Sequence, residues 1–301
     1  MMDIKQRQDR SLSSELLTLI RGSAGPAHNR VPSERKGLVV SAVGGGGKTT
    51  ILYLLAEALA REGGRVCVTT TTHIYDPRTE PQPRPCNQVV IVPELAEAPD
   101  RNSLGAQKSQ SGSVPQAGHI AVVAAREGIP DHSVHQPKGQ TDLLKLGGIH
   151  PAWVERLSPY WDLVLVEADG SKHLPVKAPA DHEPVVPEAS SVVLGCIGLD
   201  CLGKPMDERY VHRPVLFRDL TGCQPGEPIG SPHLINLVLH PQGLFKGAPS
   251  GARRVLVFNK VDVLADGALQ DLADSIGLVM PGNTIGVVLG SARLNRVYDI
   301  F

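Results

Sequence analysis

A run of four glycines followed by lysine and threonine constrains this chain more than any other feature. Residues 42–50 read Ala-Val-Gly-Gly-Gly-Gly-Lys-Thr-Thr and stand between an apolar, β-branched run at 37–43 and a helical pattern over 48–61. Such glycines let backbone N–H groups turn inward around phosphate oxygens, and the N-terminus of the following helix adds positive potential. In this context the segment predicts a P-loop, with Lys48 reaching the β- and γ-phosphates and the Thr49 hydroxyl binding Mg²⁺.

One position departs from the usual P-loop pattern. Ala42 stands where a glycine is expected, but the four glycines that follow keep the conformational freedom that the turn needs. A tight strand-to-helix turn without a ligand would explain the glycines, but not the Lys-Thr pair at this spacing. We therefore predict nucleotide binding by the segment made of Gly44, Gly45, Gly46, Gly47, Lys48, Thr49 and Thr50.

A second motif, Asn259-Lys260-Val-Asp262, directly follows an apolar run. In P-loop GTPases this tetrad reads the base: the aspartate accepts hydrogen bonds from guanine N1–H and N2–H₂, the lysine stem packs along the base and the asparagine braces the loop. A later Ser291-Ala292 pair resembles the element that contacts guanine O6 through a backbone N–H. The alternative for each is a solvated turn after a strand. Together they favour GTP, and ATP stays open.

The third motif is a pair of acidic residues that follows the apolar run 163–166. Glu167 and Asp169 share strand parity, and Asp169 with the glycine after it resembles the D-x-x-G corner of GTPases without its two-residue gap. Because the carboxyl end of a parallel strand opens beside the P-loop, these carboxylates are candidates for holding Mg²⁺ and directing the attacking water. With Lys48 they form the predicted catalytic set, and with Thr49 the predicted metal site. Strand-end acids in water are the structural alternative.

Candidates for the substrate side come from two stretches at the same predicted sheet edge. The run at 69–73 ends a predicted strand in four threonines and a histidine, and residues 170–177 follow the acidic strand. Hydroxyl groups there suit a γ-phosphate or a Mg²⁺-bound water, and lysines suit an anionic acceptor. Threonine is also a good strand former, so a structural role explains the run almost as well. The candidates are Thr71, Thr72, His73, Lys172 and Lys177.

The order strand, glycine loop, helix, strand makes a βαβ unit, which implies a parallel sheet with helices on its faces. We therefore predict a P-loop NTPase-like three-layer α/β/α fold with a mostly parallel sheet, as a single domain over residues 1–301. Residues 76–118 hold seven prolines and no aromatic residue, which predicts a proline-rich insertion or long loop. The other predicted elements are a helix over 11–22 and strands at 37–43, 65–69, 88–92, 161–167, 191–194, 254–258 and, as the last strand, 285–289.

Composition excludes several other classes of protein. Lysine and arginine number 30 against 31 aspartates and glutamates, so the basic excess of a nucleic-acid binder is missing. The five cysteines include no CxxC pair, which argues against a zinc ribbon or a redox dithiol. The N-terminus is polar, and no apolar run reaches the about 18–20 residues that a bilayer span requires. We expect a cytoplasmic protein that binds neither nucleic acid nor membranes.

The stretches GGGGKTT, RVCVTTTTHIYDP, LVLVEADGSKHLPVKAP, HEPVVP, GLDCLGKPMDERYVHR and FNKVD, in this order, resemble the YqeC-type selenium-dependent hydroxylase accessory proteins. The resemblance implies a P-loop NTPase-like fold and a role in the maturation of molybdenum hydroxylases, close to the molybdopterin cofactor. The stretch VEADGSKHLPVKAP is also similar to molybdopterin-guanine-dinucleotide accessory GTP-binding proteins. The implied partners are therefore a molybdopterin-type cofactor and a molybdenum hydroxylase client.

Three functions fit these observations. The leading hypothesis is a Mg²⁺-dependent accessory protein that binds GTP or ATP and hydrolyses it slowly, because no catalytic arginine can be assigned from the sequence. The second is a small-molecule kinase or nucleotide-dependent transferase that acts on a pterin-type cofactor. The third is a non-catalytic module that binds a phosphorylated ligand.

Overall fold

The computed structural model describes residues 10–22, 36–81, 84–92, 116–131, 142–279 and 285–301. Its helices are α1 (Leu12–Arg21), α2 (Lys48–Arg61), α3 (Pro151–Leu157), α4 (Pro214–Thr221), α5 (Ser231–Leu239) and α6 (Asp266–Val279). Its strands are β1 (Leu38–Gly44), β2 (Val66–Thr70), β3 (His73–Tyr75), β4 (Gln88–Ile91), β5 (Ile120–Ala124), β6 (Arg126–Pro130), β7 (Leu144–Gly147), β8 (Leu163–Glu167), β9 (Val176–Lys177), β10 (Val192–Gly198), β11 (Val211–His212), β12 (Arg253–Asn259), β13 (Ile285–Ser291) and β14 (Arg296–Ile300).

Nine of these strands form one central sheet in the order β14-β13-β12-β10-β1-β8-β2-β5-β4. Every neighbouring pair is parallel except β13 with β14. β1 lies at the centre, between β8 and β10, and residues 44–47, named here the glycine loop, connect it to α2. Since the carboxyl ends of parallel strands share one edge of a sheet, the segments that follow β1, β2, β8 and β12 meet at that edge.

Helices cover both faces of the sheet, which gives the molecule three layers. One face packs against α1 and α2 through alternate residues such as Val40 and Leu165. The opposite face packs against α3 near β2 and β8, and against α4, α5 and α6 near β10, β12 and β13. Strands buried on both faces read as nearly continuous apolar runs, as β1 and β10 do here. The predicted three-layer α/β/α fold with a mostly parallel sheet is confirmed.

Both helices predicted from the sequence are present. The side chain of Ser11 caps α1 by accepting a hydrogen bond from the N–H of Ser14, and the C-cap of the helix is Gly22, which has a φ of 65°. α2 begins at Lys48, directly after the glycine loop, and ends at Arg61. None of the helices in the described ranges combines the length and the apolar character that crossing a bilayer requires.

Three features differ from the sequence-based expectation. β14 follows β13, which we expected to be the last strand, and forms an antiparallel edge. β3, β7 and β6 form a separate three-stranded sheet, named here the small sheet. Its strands are short and lie apart in the chain, so no local sequence pattern predicts it. Much of the insertion predicted at 76–118 lies outside the described residues, although β4 confirms the strand expected within it.

Candidate functional site

The glycine loop folds back on the ends of β1 and β10, and only glycine fits its tightest positions. Gly44, Gly46 and Gly47 have φ values of 93°, 72° and 116°, in the left-handed region that L side chains avoid. A Cβ on Gly46 would also collide with the backbone of Gly198 at the end of β10. The departure at Ala42 has a simple explanation, because this residue lies inside β1 and pairs with Glu167 and Leu194 on the two neighbouring strands.

Lys48, the first residue of α2, lies curled against the glycine loop. Its Nζ donates to the carbonyl oxygen of Gly44 at 2.6 Å and lies 3.1 Å from Asp169 Oδ1. The side chain is 3% exposed, and burial alone would lower its pKa. The carboxylates of Asp169 and Glu167 outweigh that effect and raise the pKa of Lys48. The loop therefore holds a charged ammonium group at the start of α2.

Asp169 anchors the glycine loop rather than facing the solvent. Its Oδ2 accepts a hydrogen bond from the backbone N–H of Gly44 at 3.1 Å and lies 3.0 Å from Lys177 Nζ. Lys177 is fully buried and also pairs with Glu183 at 2.6 Å. In this structure Asp169 is paired with Lys48 and Lys177, so both of its oxygens have cationic neighbours. Lys177, predicted for the substrate side, belongs to this buried network and does not line the cleft in front of the loop.

Thr49 and Glu167 form the pair that suits a divalent cation. The Oγ1 of Thr49 donates to Glu167 Oε2 at 2.7 Å, beside the glycine loop. Burial raises the pKa of Glu167, although Lys48 and the Thr49 hydroxyl act in the opposite direction. A hydroxyl and a carboxylate oxygen are the hard ligands that Mg²⁺ takes alongside phosphate oxygens and waters. The residues therefore fit the ion that the sequence motif predicts.

Asn259 joins the glycine loop to the predicted base-reading segments. Its Nδ2 donates to the carbonyl oxygen of Gly46 at 2.7 Å, and its Oδ1 accepts from the backbone N–H of Ala292 at 2.8 Å. Both bonds are buried. The three motifs, distant in sequence, thus lie together at one edge of the sheet.

Asp262 and Lys260 both carry ion pairs in this structure. Arg293 donates to Asp262 Oδ2 from Nη2 at 2.6 Å, and Lys260 Nζ lies 2.6 Å from Asp200. Burial opposes ionisation of Asp262, but hydrogen bonds from Ser291 and Arg293 hold the pKa of Asp262 below its usual value. The Arg293 side chain is 75% exposed, whereas that of Asp262 is 6% exposed, so the guanidinium covers a largely buried carboxylate.

A cleft of about 1020 Å³ opens in front of the glycine loop. Of the predicted substrate-side residues it contains Thr72, His73 and Lys172. Thr71 is placed elsewhere, because its Oγ1 donates to the carbonyl oxygen of Val185. The lining residues are 47–50, 72–75, 129–131 and 170–173, together with Glu80, Arg84, Lys145, Glu167, Glu183, His212, Arg213 and Lys260.

The far wall of the cleft carries a network that the sequence did not reveal. Tyr75 donates its hydroxyl proton to Asp131 Oδ2 at 2.7 Å, and Lys145 Nζ lies 2.7 Å from the same oxygen. His173 stacks on Tyr75 with ring centroids 5.4 Å apart, and its Nε2 lies 2.9 Å from the Tyr75 oxygen. Because that hydroxyl proton goes to Asp131, Nε2–H of His173 is the donor. These residues come from four separate segments, so no local pattern predicts their meeting.

His212 gives the site a pH dependence of stability. Burial, with Arg213 and Lys177 nearby, lowers the pKa of His212 to about 4, against about 6.5 in an unfolded chain. As pH falls from about 6.5 to 4, the unfolded chain binds a proton that the folded chain does not, so stability is lost over that window. We expect the thermal midpoint of His212→Gln to fall less than that of the wild type. Scanning calorimetry from pH 7 to 4 measures this. The midpoint of the exposed-site control His182→Gln should fall as much as that of the wild type, and a fall as small as that of His212→Gln would contradict the expectation.

A second cluster of potential ligands lies outside the cleft. Cys223, Glu227 and His233 bring one ligand atom each within 4.8 Å of the others. Burial raises the pKa of the Cys223 thiol to about 11, and Nδ1 of His233 accepts the backbone N–H of Gly230, which places the ring proton on Nε2. That Nε2 lies 3.6 Å from Glu227. The hydrogen bond from the Gly230 N–H to His233 Nδ1 caps the N-terminus of α5.

Together, a mostly parallel sheet flanked by helices, a glycine loop ahead of α2 and acidic residues at the end of β8 define an α/β protein compatible with the P-loop NTPase-like fold. The family described as "YqeC protein" matches residues 40–215, more than half of the chain, and the chain belongs to that family. It is 33% identical over 229 residues to "Uncharacterized protein YqeC" of Escherichia coli (strain K12), covering 76% of this chain and 78% of that protein. The matched family region includes the glycine loop and Glu167, and it ends before Asn259.

Proposed function

We propose that this protein binds a Mg²⁺–nucleoside triphosphate, with GTP preferred over ATP, and hydrolyses it slowly. The observation that carries the proposal is the charged Lys48, held at the start of α2 beside the Thr49–Glu167 pair. The glycine loop would serve as the P-loop: its N–H groups and Lys48 bind the phosphates, and Thr49 and Glu167 hold Mg²⁺, which neutralises phosphate charge. As a YqeC family member, the protein would use this nucleotide to assist the maturation or cofactor insertion of a selenium-dependent molybdenum hydroxylase.

We expect slow turnover because the arginines that line the cleft are already paired with carboxylates. Hydrolysis forms a bond from the water oxygen to the γ-phosphorus and breaks the bond to the bridging oxygen; the released phosphate keeps one proton of the water and the other is released to the solvent. The charge that develops is usually neutralised by an arginine. Arg84 and Arg213 line the cleft but are paired with Glu80 and Glu183. A client protein that supplies a cation would accelerate the step.

The preference for guanine rests on Asn259 and Asp262. Asn259 ties the loop that would hold the phosphates to Ala292, whose N–H is engaged by the Asn259 side chain. The Asp262 carboxylate belongs to the same assembly, and a guanine would have to replace its hydrogen bonds from Ser291 and Arg293. Two hydrogen bonds from guanine to a carboxylate would discriminate against adenine, which has no matching donors.

A second candidate function is a kinase or transferase on the same scaffold. The observation that favours it is the cleft of about 1020 Å³, which extends from the glycine loop to the small sheet. Ordinary turnover in the presence of a small acceptor would support this candidate, whereas binding without any hydrolysis would support a non-catalytic module.

Magnesium dependence tests the proposed site directly. We expect the wild type to bind GTP at least about tenfold more tightly with Mg²⁺ than with EDTA, corresponding to about 1.4 kcal/mol. Thr49→Ala and Glu167→Gln remove ligands of the ion, so most of this gain should disappear in each. Isothermal titration calorimetry measures it. Thr71→Ala is the matched control, since its hydroxyl bonds Val185 away from the cleft; an equal loss there, or no loss in Thr49→Ala, argues against the metal site.

A further inference from the structure

The cleft extends to both sides of the glycine loop, and the proposed nucleotide uses only one of them. Lys260 follows β12, two strands from β1 in one direction, and Thr72 follows β2, two strands from β1 in the other. With strands about 4.8 Å apart, these two ends of the cleft are separated by about 19 Å. A nucleotide whose base lies at Asp262 runs toward β12. The side of the cleft toward β2, whose far wall is the small sheet, is then left without a ligand.

The charge of the open side is suited to an anion. Six lysine and arginine side chains line the whole cleft against four carboxylates. Most of these cations already have acidic partners: Lys145 pairs with Asp131 and Arg213 with Glu183. Among the described residues, no carboxylate lies within ion-pair distance of Lys172, which is exposed to the cleft. One positive charge on this side is therefore left for a ligand.

Lys172 is held in an unfavourable backbone conformation. Lys172 and His173 have φ values of 50° and 61°, and the N–H of Leu174 donates to the carbonyl oxygen of Ser171 at 3.0 Å. Two central residues with positive φ make this a type I′ turn, for which asparagine and glycine are the usual residues. Strain of this kind persists where the surroundings enforce it, and it concentrates at ligand sites.

The surroundings that enforce the turn lie on the small sheet. His173 is stacked on Tyr75 and donates to its hydroxyl oxygen, while Tyr75 is fixed by Asp131. This network holds the turn so that Lys172 faces the cleft together with Ser171 and His212. A hydroxyl and an imidazole beside an ammonium group match the several oxygens of a phosphate group.

We propose that the side of the cleft toward β2 binds a second, phosphate-bearing small molecule through Lys172, next to the nucleotide that the proposed function places on the glycine loop. The site would hold the phosphate between Lys172, Ser171 and His212. The two ligands then lie side by side along the same sheet edge.

Inorganic phosphate, titrated into protein saturated with Mg²⁺ and a non-hydrolysable GTP analogue, tests this site. We expect the complex to bind phosphate at millimolar concentration, followed by calorimetry or ³¹P NMR. Lys172→Met should weaken that binding about tenfold, since it removes one charge-assisted contact. Lys36→Met is the matched control, because Lys36 precedes β1 at the opposite edge of the sheet and pairs with Glu155. Phosphate affinity that is equal in Lys172→Met and the wild type would overturn the proposal, as would a wild-type complex that binds no phosphate.

Two further variants separate this proposal from a structural role and from the proposed function. Lys172→Gly relieves the left-handed strain, so it should lose phosphate without lowering the thermal midpoint; a lowered midpoint would indicate a structural lysine.

If the GTP analogue does not bind the wild type, the proposed function fails. The titration is then made in Lys48→Met, where phosphate binding that still depends on Lys172 sustains the second site, and binding that does not depend on it overturns the site.

Discussion

Lys48→Met is expected to lower the affinity for Mg²⁺–GTP at least about 100-fold. The ammonium group is charged, is held 3.1 Å from Asp169, and would leave that pairing to contact the β- and γ-phosphates. Methionine keeps the volume of the side chain and removes its charge and its hydrogen bond to Gly44. A loss of about 100-fold corresponds to about 2.7 kcal/mol, a reasonable value for charge-assisted bonds to phosphate in a buried setting. Calorimetric titration with GTP measures it.

The controls for this variant follow from its burial. Removing one partner of a buried ion pair can cost about 3–5 kcal/mol of stability, although here Asp169 keeps Lys177 and the N–H of Gly44. Circular dichroism and the thermal midpoint establish that the variant is folded. Lys48→Gln, which keeps a donor for the Gly44 carbonyl, provides a second test if methionine unfolds the chain. Retention of wild-type GTP affinity by a folded Lys48 variant would refute the assignment of the glycine loop as a P-loop.

Asp262→Asn is expected to exchange guanine preference for xanthine preference. The aspartate would accept from N1–H and N2–H₂ of guanine, whereas asparagine can accept N1–H of xanthine and donate to its O2. We expect GTP affinity to fall about 10- to 100-fold, as for the loss of hydrogen bonds to a charged group, and XTP affinity to rise. Competition titrations with GTP, XTP and ATP, all with Mg²⁺, give the comparison.

Arg293→Ala is the matched control for this exchange. It removes the same ion pair as Asp262→Asn but leaves the carboxylate for the base. Its GTP affinity should be unchanged or higher, because guanine no longer competes with the guanidinium. If Asp262→Asn weakens GTP and ATP equally, or if Arg293→Ala behaves like it, the tetrad is a structural turn and the base lies elsewhere.

The sequence predicted the central layers well because their signals are local. The start of α2 at Lys48 follows from the glycine loop, and β8 and β12 are apolar runs of the length that a doubly covered strand needs. The small sheet and β14 were missed for two different reasons. β3 pairs with β7, a segment distant in the chain, so no short window of sequence contains that contact. β14 pairs with the neighbouring β13, but only Val297 of its five residues is buried, so its apolar signal is weak.

The sequence predicted only those parts of the site that lie in recognisable motifs. Thr49 and Glu167 lie together as the motifs imply, since β8, which ends at Glu167, and β1, which leads into the glycine loop, end at one edge of the sheet. Asp169 and Lys177 pair with each other beneath the loop, and their burial is something that charge and spacing in the sequence do not reveal. Tyr75 and His173 carry no motif at all, so only their stacking in the folded chain identifies them.

The Asn259 side chain has a thermodynamic consequence for ligand recognition. One amide, through two buried bonds, locks the glycine loop to the segment after β13 before any ligand arrives. The entropy of ordering both segments is therefore lost during folding and not during association. The two ends of the proposed nucleotide would then meet a preorganised receptor, and their contributions would combine as in a chelate. We therefore expect a nucleoside without phosphates, or a triphosphate without a matching base, to bind far more weakly than the intact ligand.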